Sequence, residues 1–411
     1  MHRALRLLAV AVTVTIGVTL SGCSGKANAP SSGSTGEFKT DVGVSGSRIS
    51  LGVLTDLTGQ FAPLATELTN AEKLYWEERN AAGGVCGGRF QVDLDVRDHG
   101  YNVQTAVSLY SSMKAKSLGF EQILGSPMNA ALSADIQKDG IVTLPASWAP
   151  VLLKNPLMTV VGTTTDLEVV NLLDYLLDQQ TLAAGDAIGH IYFEGELGES
   201  GLIGSKKVAA AHNLKLVEAK IKPTDTDMTA HVTAMKAQGV KAIVLSTSSG
   251  PLASAAAVAA AGGMQVPLLG NTQTFAPGAL KTPGGAYLKD HFIGAQPVSP
   301  FDQPASKAVL DKYLKKYPGT NPTLQISYGW ARADVMRQLL ESACGAKDLT
   351  RQGLVRARQS LTKVDTGGLA AVLDYGTAGT PPTRESYLMK AADAPGGLVL
   401  AKGPYRGADT A

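Results

Sequence analysis

Two long stretches of this chain alternate short apolar strands with amphipathic helices, and this alternation constrains the fold more than any other feature. In the first stretch, the helix that follows the first strand ends at Gly83-Gly84. The predicted strands are residues 49–54, 90–96, 120–124 and 141–144. Regular alternation of this kind implies parallel strands joined by crossover helices, which is a doubly wound α/β sheet.

A second α/β stretch of similar size follows. It begins with a helix in which Thr165 and Glu168 have the spacing of a capping box. The predicted strands are residues 188–193, 214–221, 241–245, 266–269 and 291–295. A body of this length exceeds what one hydrophobic core supports, so we expect an α/β protein with two doubly wound parallel-sheet lobes joined by a multi-strand hinge.

The N-terminal residues predict export and a lipid anchor. A basic start precedes an apolar stretch, residues 7–20, that is too short to span a bilayer permanently. The sequence Leu20-Ser21-Gly22-Cys23 resembles a bacterial lipobox, in which the signal peptide (residues 1–22) is removed and Cys23 carries the lipid; an ordinary signal peptide is the alternative. Residues 23–46 are predicted to be a flexible linker. We expect the protein on the outer face of the cytoplasmic membrane.

Two further cysteines, Cys86 and Cys344, form an even pair in an oxidising compartment, which predicts a disulfide; two buried free thiols are the alternative. If they are bonded, the helical residues before Cys344 must pack on the first lobe. Asn321 and Pro322 are predicted to be the N-cap and first residue of that helix. The expected boundaries are residues 48–162 for lobe one, 163–296 for lobe two, 297–362 for the return to lobe one, and 363–411 for the return to lobe two and the C-terminal tail.

The sequence offers little support for catalysis. No P-loop, dinucleotide fingerprint or GxSxG elbow is present, and the histidines show no HExxH or comparable metal spacing. The six histidines are His2, His99, His190, His212, His231 and His291. The 37 Lys and Arg residues nearly balance the 35 Asp and Glu residues, so no basic field for nucleic acid is expected. We expect no enzyme, no cofactor and no metal.

Six short stretches between Arg48 and Leu400 occur in the order and spacing of one known family. They are Leu54-Thr55-Asp56-Leu57-Thr58-Gly59, Asn80-Ala81-Ala82-Gly83-Gly84-Val85, Ile123-Leu124-Gly125-Ser126, Pro145-Ala146-Ser147-Trp148-Ala149-Pro150, Ile191-Tyr192-Phe193-Glu194 and Val266-Pro267-Leu268-Leu269-Gly270-Asn271. Together they resemble the Leu/Ile/Val-binding (branched-chain amino acid type) solute-binding proteins of ABC importers. The resemblance implies the periplasmic-binding protein type I fold, in which two lobes close on a small ligand, and a membrane permease as partner.

The resemblance also implies where the ligand lies, since doubly wound sheets bind ligands outside the carboxyl ends of their strands. The family holds an amino acid's carboxylate with hydroxyl residues at positions that fall here on Met128, Asn129 and Trp148. The positions that meet the ammonium group fall on Ser248 and Thr272. A further aromatic position of the second lobe falls on Leu197.

These departures from the family pattern suggest a different ligand. An ammonium group in a closed cleft needs a carboxylate or an aromatic face, and neither Ser248 nor Thr272 carries charge. We therefore hypothesise an aromatic, aliphatic or amide-like solute rather than a plain α-amino acid. Glu194 is an alternative cation partner, with a solvated loop as its competing interpretation. The candidate ligand-binding residues are Thr58, Gly59, Phe61, Ser126, Met128, Asn129, Ser147, Trp148, Glu194, Leu197, Ser248 and Thr272.

Several candidates also have structural explanations. Trp148 can pack the hinge, Met128 can fill the core, and Thr58 with Gly59 can form a turn. We expect a monomeric, lipid-anchored solute-binding protein of an ABC importer that captures a small organic solute by closure of its lobes. A sensory lipoprotein of the same fold, without a transport role, is the alternative.

Overall fold

The computed structural model describes residues 34–35 and 38–410. The strands are β1 Ser34–Thr35, β2 Phe38–Thr40, β3 Val44–Ser45, β4 Arg48–Thr55, β5 Gln91–Asp98, β6 Gly119–Leu124, β7 Thr143–Ala146, β8 Ala187–Phe193, β9 Lys215–Ile221, β10 Ala242–Ser246, β11 Leu268–Gly270, β12 Phe292–Gln296, β13 Asp348–Leu349, β14 Lys363–Val364, β15 Leu373–Asp374, β16 Ser386–Ala391 and β17 Leu398–Tyr405. The predicted signal peptide, the lipidated Cys23 and the linker up to residue 33 lie outside the described residues.

The helices are α1 Ala62–Ala81, α2 Val103–Met113, α3 Ser126–Asp139, α4 Thr165–Asp178, α5 Glu196–Ala211, α6 Thr229–Ala237, α7 Ser249–Ala261, α8 Gly285–His291, α9 Pro304–Lys316, α10 Gln325–Gly345 and α11 Arg351–Ser360. Short 3₁₀ helices cover Pro150–Lys154, Pro277–Lys281, Pro395–Gly397 and Ala408–Thr410. Within the described part of the chain, no helix is both long enough and apolar enough to span a bilayer.

Each lobe has a parallel sheet with the same strand order. In lobe one the order is β5-β4-β6-β7, with β3 paired antiparallel to the start of β4. In lobe two the parallel order is β9-β8-β10-β11-β12, and β16 and β17 extend this sheet as antiparallel strands. In both sheets the second strand along the chain lies outside the first, so the order reverses there and creates a crevice at the carboxyl ends of the strands. The predicted α/β class with two doubly wound lobes is confirmed.

The chain crosses between the two sheets three times, after β7, after β12 and after α11. The crossing segments contact one another: Val298 forms a β-bridge with Ala370, and Tyr375 Oη donates a hydrogen bond of 2.8 Å to the carbonyl of Val160. A disulfide joins Cys86 to Cys344, as predicted, and α10 packs along α1 of the first lobe. Helix α10 therefore packs on the lobe that contains α1.

Three local expectations differ from the structure. Part of the expected linker is ordered, because β2 pairs with β13 and the Phe38 side chain is buried. Helix α10 begins at Gln325 rather than at Pro322, since Thr323 donates through its backbone N–H to Glu67 Oε2 at 2.7 Å and this bond holds the preceding segment outside the helix. The expected capping box is absent: Thr164 is the N-cap of α4, without a side-chain cap bond, and the Glu168 carboxylate binds elsewhere.

Candidate functional site

A cleft lies between the carboxyl ends of the strands of the two lobes. Lobe one contributes residues that follow β4, β5, β6 and β7 together with the first residue of α10, and lobe two contributes residues that follow β8 and β11. The lining residues used below are Phe61, Tyr101, Gly125, Ser126, Trp148, Leu197, Gln273 and Gln325. Among the described residues, none that lines the cleft is charged, and most are apolar.

Aromatic side chains of lobe one form one wall of the cleft. Phe61 and Tyr101 pack with ring centroids 4.8 Å apart, and Trp148 packs on Tyr328 at 4.7 Å. The indole Nε1–H of Trp148 donates to the carbonyl of Val161 at 3.1 Å, so the ring has a fixed orientation and its polar atom is already satisfied. This wall therefore offers an incoming solute apolar ring surface rather than hydrogen-bond donors.

A small polar corner faces the aromatic wall at the start of α3. Ser126 is the first residue of this helix, and its hydroxyl lies 2.8 Å from the hydroxyl of Ser147. The N-cap is Gly125, with φ of +100°, so no side chain caps the helix. A Cβ there would overlap Met128 Cε and approach a ring carbon of Tyr101 to 2.9 Å, which explains the glycine. The corner thus combines two hydroxyls with the positive end of a helix.

Two amide side chains complete the polar part of the cleft. Gln273 follows β11 of lobe two, and Gln325 is the first residue of α10. The Oε1 atom of Gln273 is buried and accepts no hydrogen bond from the described residues. A buried acceptor without a partner costs free energy, so a donor on a bound solute or a water molecule would stabilise it.

The structure brings four of the twelve predicted site residues to the cleft lining, namely Phe61, Ser126, Trp148 and Leu197. Three others lie just behind the lining. Ser147 bonds Ser126, Met128 is fully buried, and the Asn129 side-chain amide donates to the carbonyls of Ile123 and Gly125 at 2.7 and 2.8 Å. These three support the turn between β6 and α3 and do not line the cleft.

The remaining predicted residues lie away from the lining. Thr58 is exposed and donates to Asp98 Oδ2 at 2.7 Å, while the backbone N–H of Gly59 donates to Asp56, so both belong to a turn. Glu194 is exposed, and Ser248 is the half-buried N-cap of α7. Position after a strand therefore does not specify which side chains line the cleft.

Thr272 is buried near the cleft and is bound to Glu168. Its backbone N–H donates to Glu168 Oε2 at 3.0 Å, and its hydroxyl is paired with Oε1 of the same carboxyl group. Burial raises the pKa of Glu168 to about 8, although the bonds from Thr272 partly oppose this shift. At neutral pH the carboxyl group is mainly protonated, so it offers no full negative charge to a cationic solute.

A buried guanidinium supports the back of the aromatic wall. Arg332 of α10 donates to the carbonyls of Pro145, Glu121 and Leu144 at 2.7, 2.6 and 2.9 Å, and its Nε donates to Glu72 Oε1 at 3.0 Å. It therefore ties strands β6 and β7 to α10 directly behind the strand ends that carry the cleft residues. Burial raises the pKa of Glu72 to about 7, while Arg332 opposes that shift.

Sequence reasoning missed four of the residues described above. They are Tyr101, Gln273, Gln325 and Arg332. Tyr101 and Gln273 lie in loops after strands, which is the position that was used to choose the predicted site residues. Gln325 and Arg332 sit on a helix that reaches the site only because the chain returns to lobe one.

Comparison with known proteins agrees with this architecture. The family model described as periplasmic binding protein matches residues 48–396. The chain belongs to the periplasmic binding protein family. No curated protein sequence matches the chain.

Three solved structures of this family illustrate the similarity. A fatty acid ABC transporter substrate-binding protein from Thermomonospora curvata is 38% identical, with 91% of this chain and 96% of that chain covered and a TM-score of 0.86. A branched chain amino acid ABC transporter from Thermus thermophilus with bound valine is 19% identical, with 89% and 98% covered and a TM-score of 0.78. A solute-binding protein of an ABC transporter from R. palustris in complex with benzoate is 17% identical, with 87% and 96% covered and a TM-score of 0.71. The last two show a shared fold only.

Proposed function

We propose that this protein is the extracytoplasmic solute-binding subunit of an ABC importer, and that its solute is an aliphatic carboxylic acid of the fatty acid class. The observation that carries the proposal is the cleft, which is largely apolar and, in the described part of the chain, has no charged lining residue. Membership of the periplasmic binding protein family and the 38% identical fatty acid substrate-binding protein support the same assignment.

The apolar part of the cleft suits an alkyl chain. Phe61 and Leu197 face it from opposite lobes and are each nearly buried. Each methylene group that moves from water into such a site contributes about 0.8 kcal/mol. A solute with several methylene groups would therefore gain most of its affinity from this surface when both lobes enclose it.

The polar corner suits a carboxylate better than an ammonium group. The start of α3 presents the positive end of a helix, and Ser126 there can donate its hydroxyl to a ligand oxygen while it accepts a hydrogen bond from Ser147 behind the lining. An α-amino acid would also bury its ammonium group, for which the described lining residues provide no carboxylate. This is why we favour a carboxylic acid without an amino group.

The first test is calorimetric titration of the chain starting at Ser24, which retains every described residue. Octanoate, octylammonium and leucine serve as probes because they separate the contributions of alkyl chain, carboxylate and ammonium. We expect octanoate to bind and the other two to bind at least tenfold more weakly. Equal or tighter binding of leucine would reject a fatty-acid solute while leaving the solute-binding role intact.

A matched pair of variants tests the location of the site. Leu197→Glu places a carboxylate in the cleft, whereas Ile203→Glu places one on the exposed face of the same helix, α5. We expect the first variant to lose octanoate binding and the second to retain it. Equal affinities in the two variants would show that the solute binds elsewhere.

Lipid anchoring through Cys23 is part of the same proposal, and the lipobox-like sequence supports it. In cells, Cys23→Ala should move the protein from the membrane fraction to the soluble fraction, and the wild-type chain should incorporate labelled acyl groups. Deletion of the gene should lower uptake of labelled octanoate. Normal uptake with intact binding would favour a sensory role instead of import.

A further inference from the structure

Three side chains of lobe two meet at the end of α5 that is remote from the cleft. Asp174 lies on α4, His212 is the C-cap of α5, and Asp409 lies in the 3₁₀ helix Ala408–Thr410. One ligand atom from each residue lies within 4.8 Å of the other two. Because α5 has 16 residues, about 24 Å separate this cluster from the end of the helix that carries Leu197. The cluster therefore has no part in the proposed solute site.

The hydrogen bonds within the cluster leave one buried carboxylate oxygen of Asp174 without a partner. His212 Nε2 lies 2.7 Å from Asp409 Oδ2, and the backbone N–H of Asp409 donates to Asp174 Oδ2 at 2.9 Å. Asp174 is only 3% exposed, and its Oδ1 atom accepts no hydrogen bond from the described residues. A buried carboxylate oxygen without a partner is costly, and a second carboxylate beside it adds repulsion. A cation bound between the side chains would offset both the missing hydrogen bond and the repulsion between the carboxylates.

We propose that Asp174, His212 and Asp409 bind one divalent transition-metal ion, for which zinc is the best-matched candidate. Zinc accepts imidazole nitrogen together with carboxylate oxygen, whereas magnesium and calcium prefer sites made of oxygen alone. The side chains of His212 and Asp409 are 38% and 22% exposed, so an ion can enter and a water molecule can complete its coordination. The ion takes the place of the hydrogen bond between His212 and Asp409.

Such an ion would link the 3₁₀ helix Ala408–Thr410 to helices α4 and α5 of lobe two. Asp409 belongs to the last described helical turn, and the other two ligands lie on α4 and α5. Residues 174, 212 and 409 are far apart in the sequence, so no spacing motif reveals the site. The expectation of no metal rested on histidine spacing, and spacing cannot reveal a site whose ligands lie this far apart in the sequence.

The test uses the chain starting at Ser24, purified without a polyhistidine tag and stripped with EDTA. Zinc chloride is titrated by calorimetry, and metal content after dialysis is measured by mass spectrometry. We expect one zinc per chain and a rise in melting temperature on zinc addition. His212→Ala and Asp409→Asn should each weaken zinc binding at least tenfold, since loss of an outer-shell partner alone has that effect. Asp409→Asn also keeps the local shape, which guards against a folding defect in the alanine variant.

His231→Ala is the matched control, because it removes a histidine from α6 of the same lobe. It should leave zinc affinity unchanged. The proposal is overturned if the stripped chain binds no zinc, if the two ligand variants bind as well as the wild type, or if the control loses as much affinity as they do. Solute binding is not a readout here, so failure of this proposal and failure of the proposed function are distinguishable.

Discussion

Glu168 gives the protein a pH-dependent stability with a definite sign. Its pKa is about 8 in the folded chain, against 4.5 for an unperturbed glutamate, because the carboxyl group is buried. Between these values the folded state holds a proton that the unfolded state has released, so stability falls as pH rises towards 8. The size of this effect is on the order of a few kcal/mol. Glu168→Gln, which stays neutral, should lack that loss.

The measurement is urea unfolding of wild type and variant between pH 5 and pH 9. The difference in unfolding free energy should shift in favour of Glu168→Gln as the pH rises. Glu194→Gln is the control, since Glu194 is exposed on the same lobe and its replacement should leave the slope nearly unchanged. Parallel curves for wild type and Glu168→Gln would contradict the assignment of a neutral buried carboxyl group.

Thr272 also shows why individual site residues were hard to predict. Its place after a strand indicated the correct edge of the sheet, and its hydroxyl was a reasonable ligand for a solute. In the structure that hydroxyl donates a hydrogen bond to Glu168, which lies 104 residues earlier on another element. Trp148 and Leu197, two of the predicted site residues, line the cleft. Polar side chains such as that of Thr272 can pair with residues far away in the sequence, and sequence position does not reveal which.

The disulfide fastens the end of α10 to the turn after α1. We expect replacement of both cysteines by serine to lower the free energy of unfolding by about 2–5 kcal/mol, without loss of the native fold. The fold should survive because Arg79 still pairs with Glu341 at 3.1 Å and the two helices still pack together. Urea unfolding measures the loss. Each single variant should lose about as much as the double variant, because one bond is broken in every case; additive losses would contradict this.

The short strand β2 makes the N-terminal segment part of the first lobe. Phe38 is buried, packs edge-on against Phe90 at 5.4 Å, and lies under the guanidinium of Arg89 at 5.4 Å. Phe38→Ala should therefore destabilise the chain by roughly 3 kcal/mol in urea unfolding, a cost typical of buried aromatic truncation. Lys39→Ala on the same strand is the control, because its side chain is exposed. Similar losses for both variants would mean that the segment is not packed as described.

Periodicity predicted most helices and strands of the two lobes because those elements bury a regular apolar face. The strand β2 was missed because its partner, β13, lies about 300 residues further along the chain and only one large apolar residue marks it. The start of α10 was misplaced for a related reason. Asn321 and Pro322 have good local helix-start chemistry, but the buried Glu67 of α1 binds Thr323 and delays the helix. In both cases, the strand β2 and the start of α10, a partner far away in the sequence determines the local structure.

Two of the segments that cross between the lobes approach one another closely at Gly162. Gly162 lies in the first crossing with φ of +101°, and a Cβ there would overlap Pro297 Cβ in the second, while Trp148 Nε1 would lie at an ordinary 3.5 Å. Gly162→Ala should push these segments apart and favour a more open arrangement of the lobes. The apparent affinity for solute falls in proportion to the population of the closed form, so we expect it to drop at least tenfold.

Gly185→Ala separates this effect from backbone strain. Gly185 has a similar φ of +91°, but a Cβ there would meet nothing within 4 Å, so its replacement strains the backbone without separating any segments. Both variants should lose stability, and Gly162→Ala should in addition show a larger radius of gyration by X-ray scattering in the presence of octanoate. If both variants bound solute equally well, hinge separation would not control capture. If only Gly162→Ala weakened binding, solute capture would require the close approach of the crossing segments.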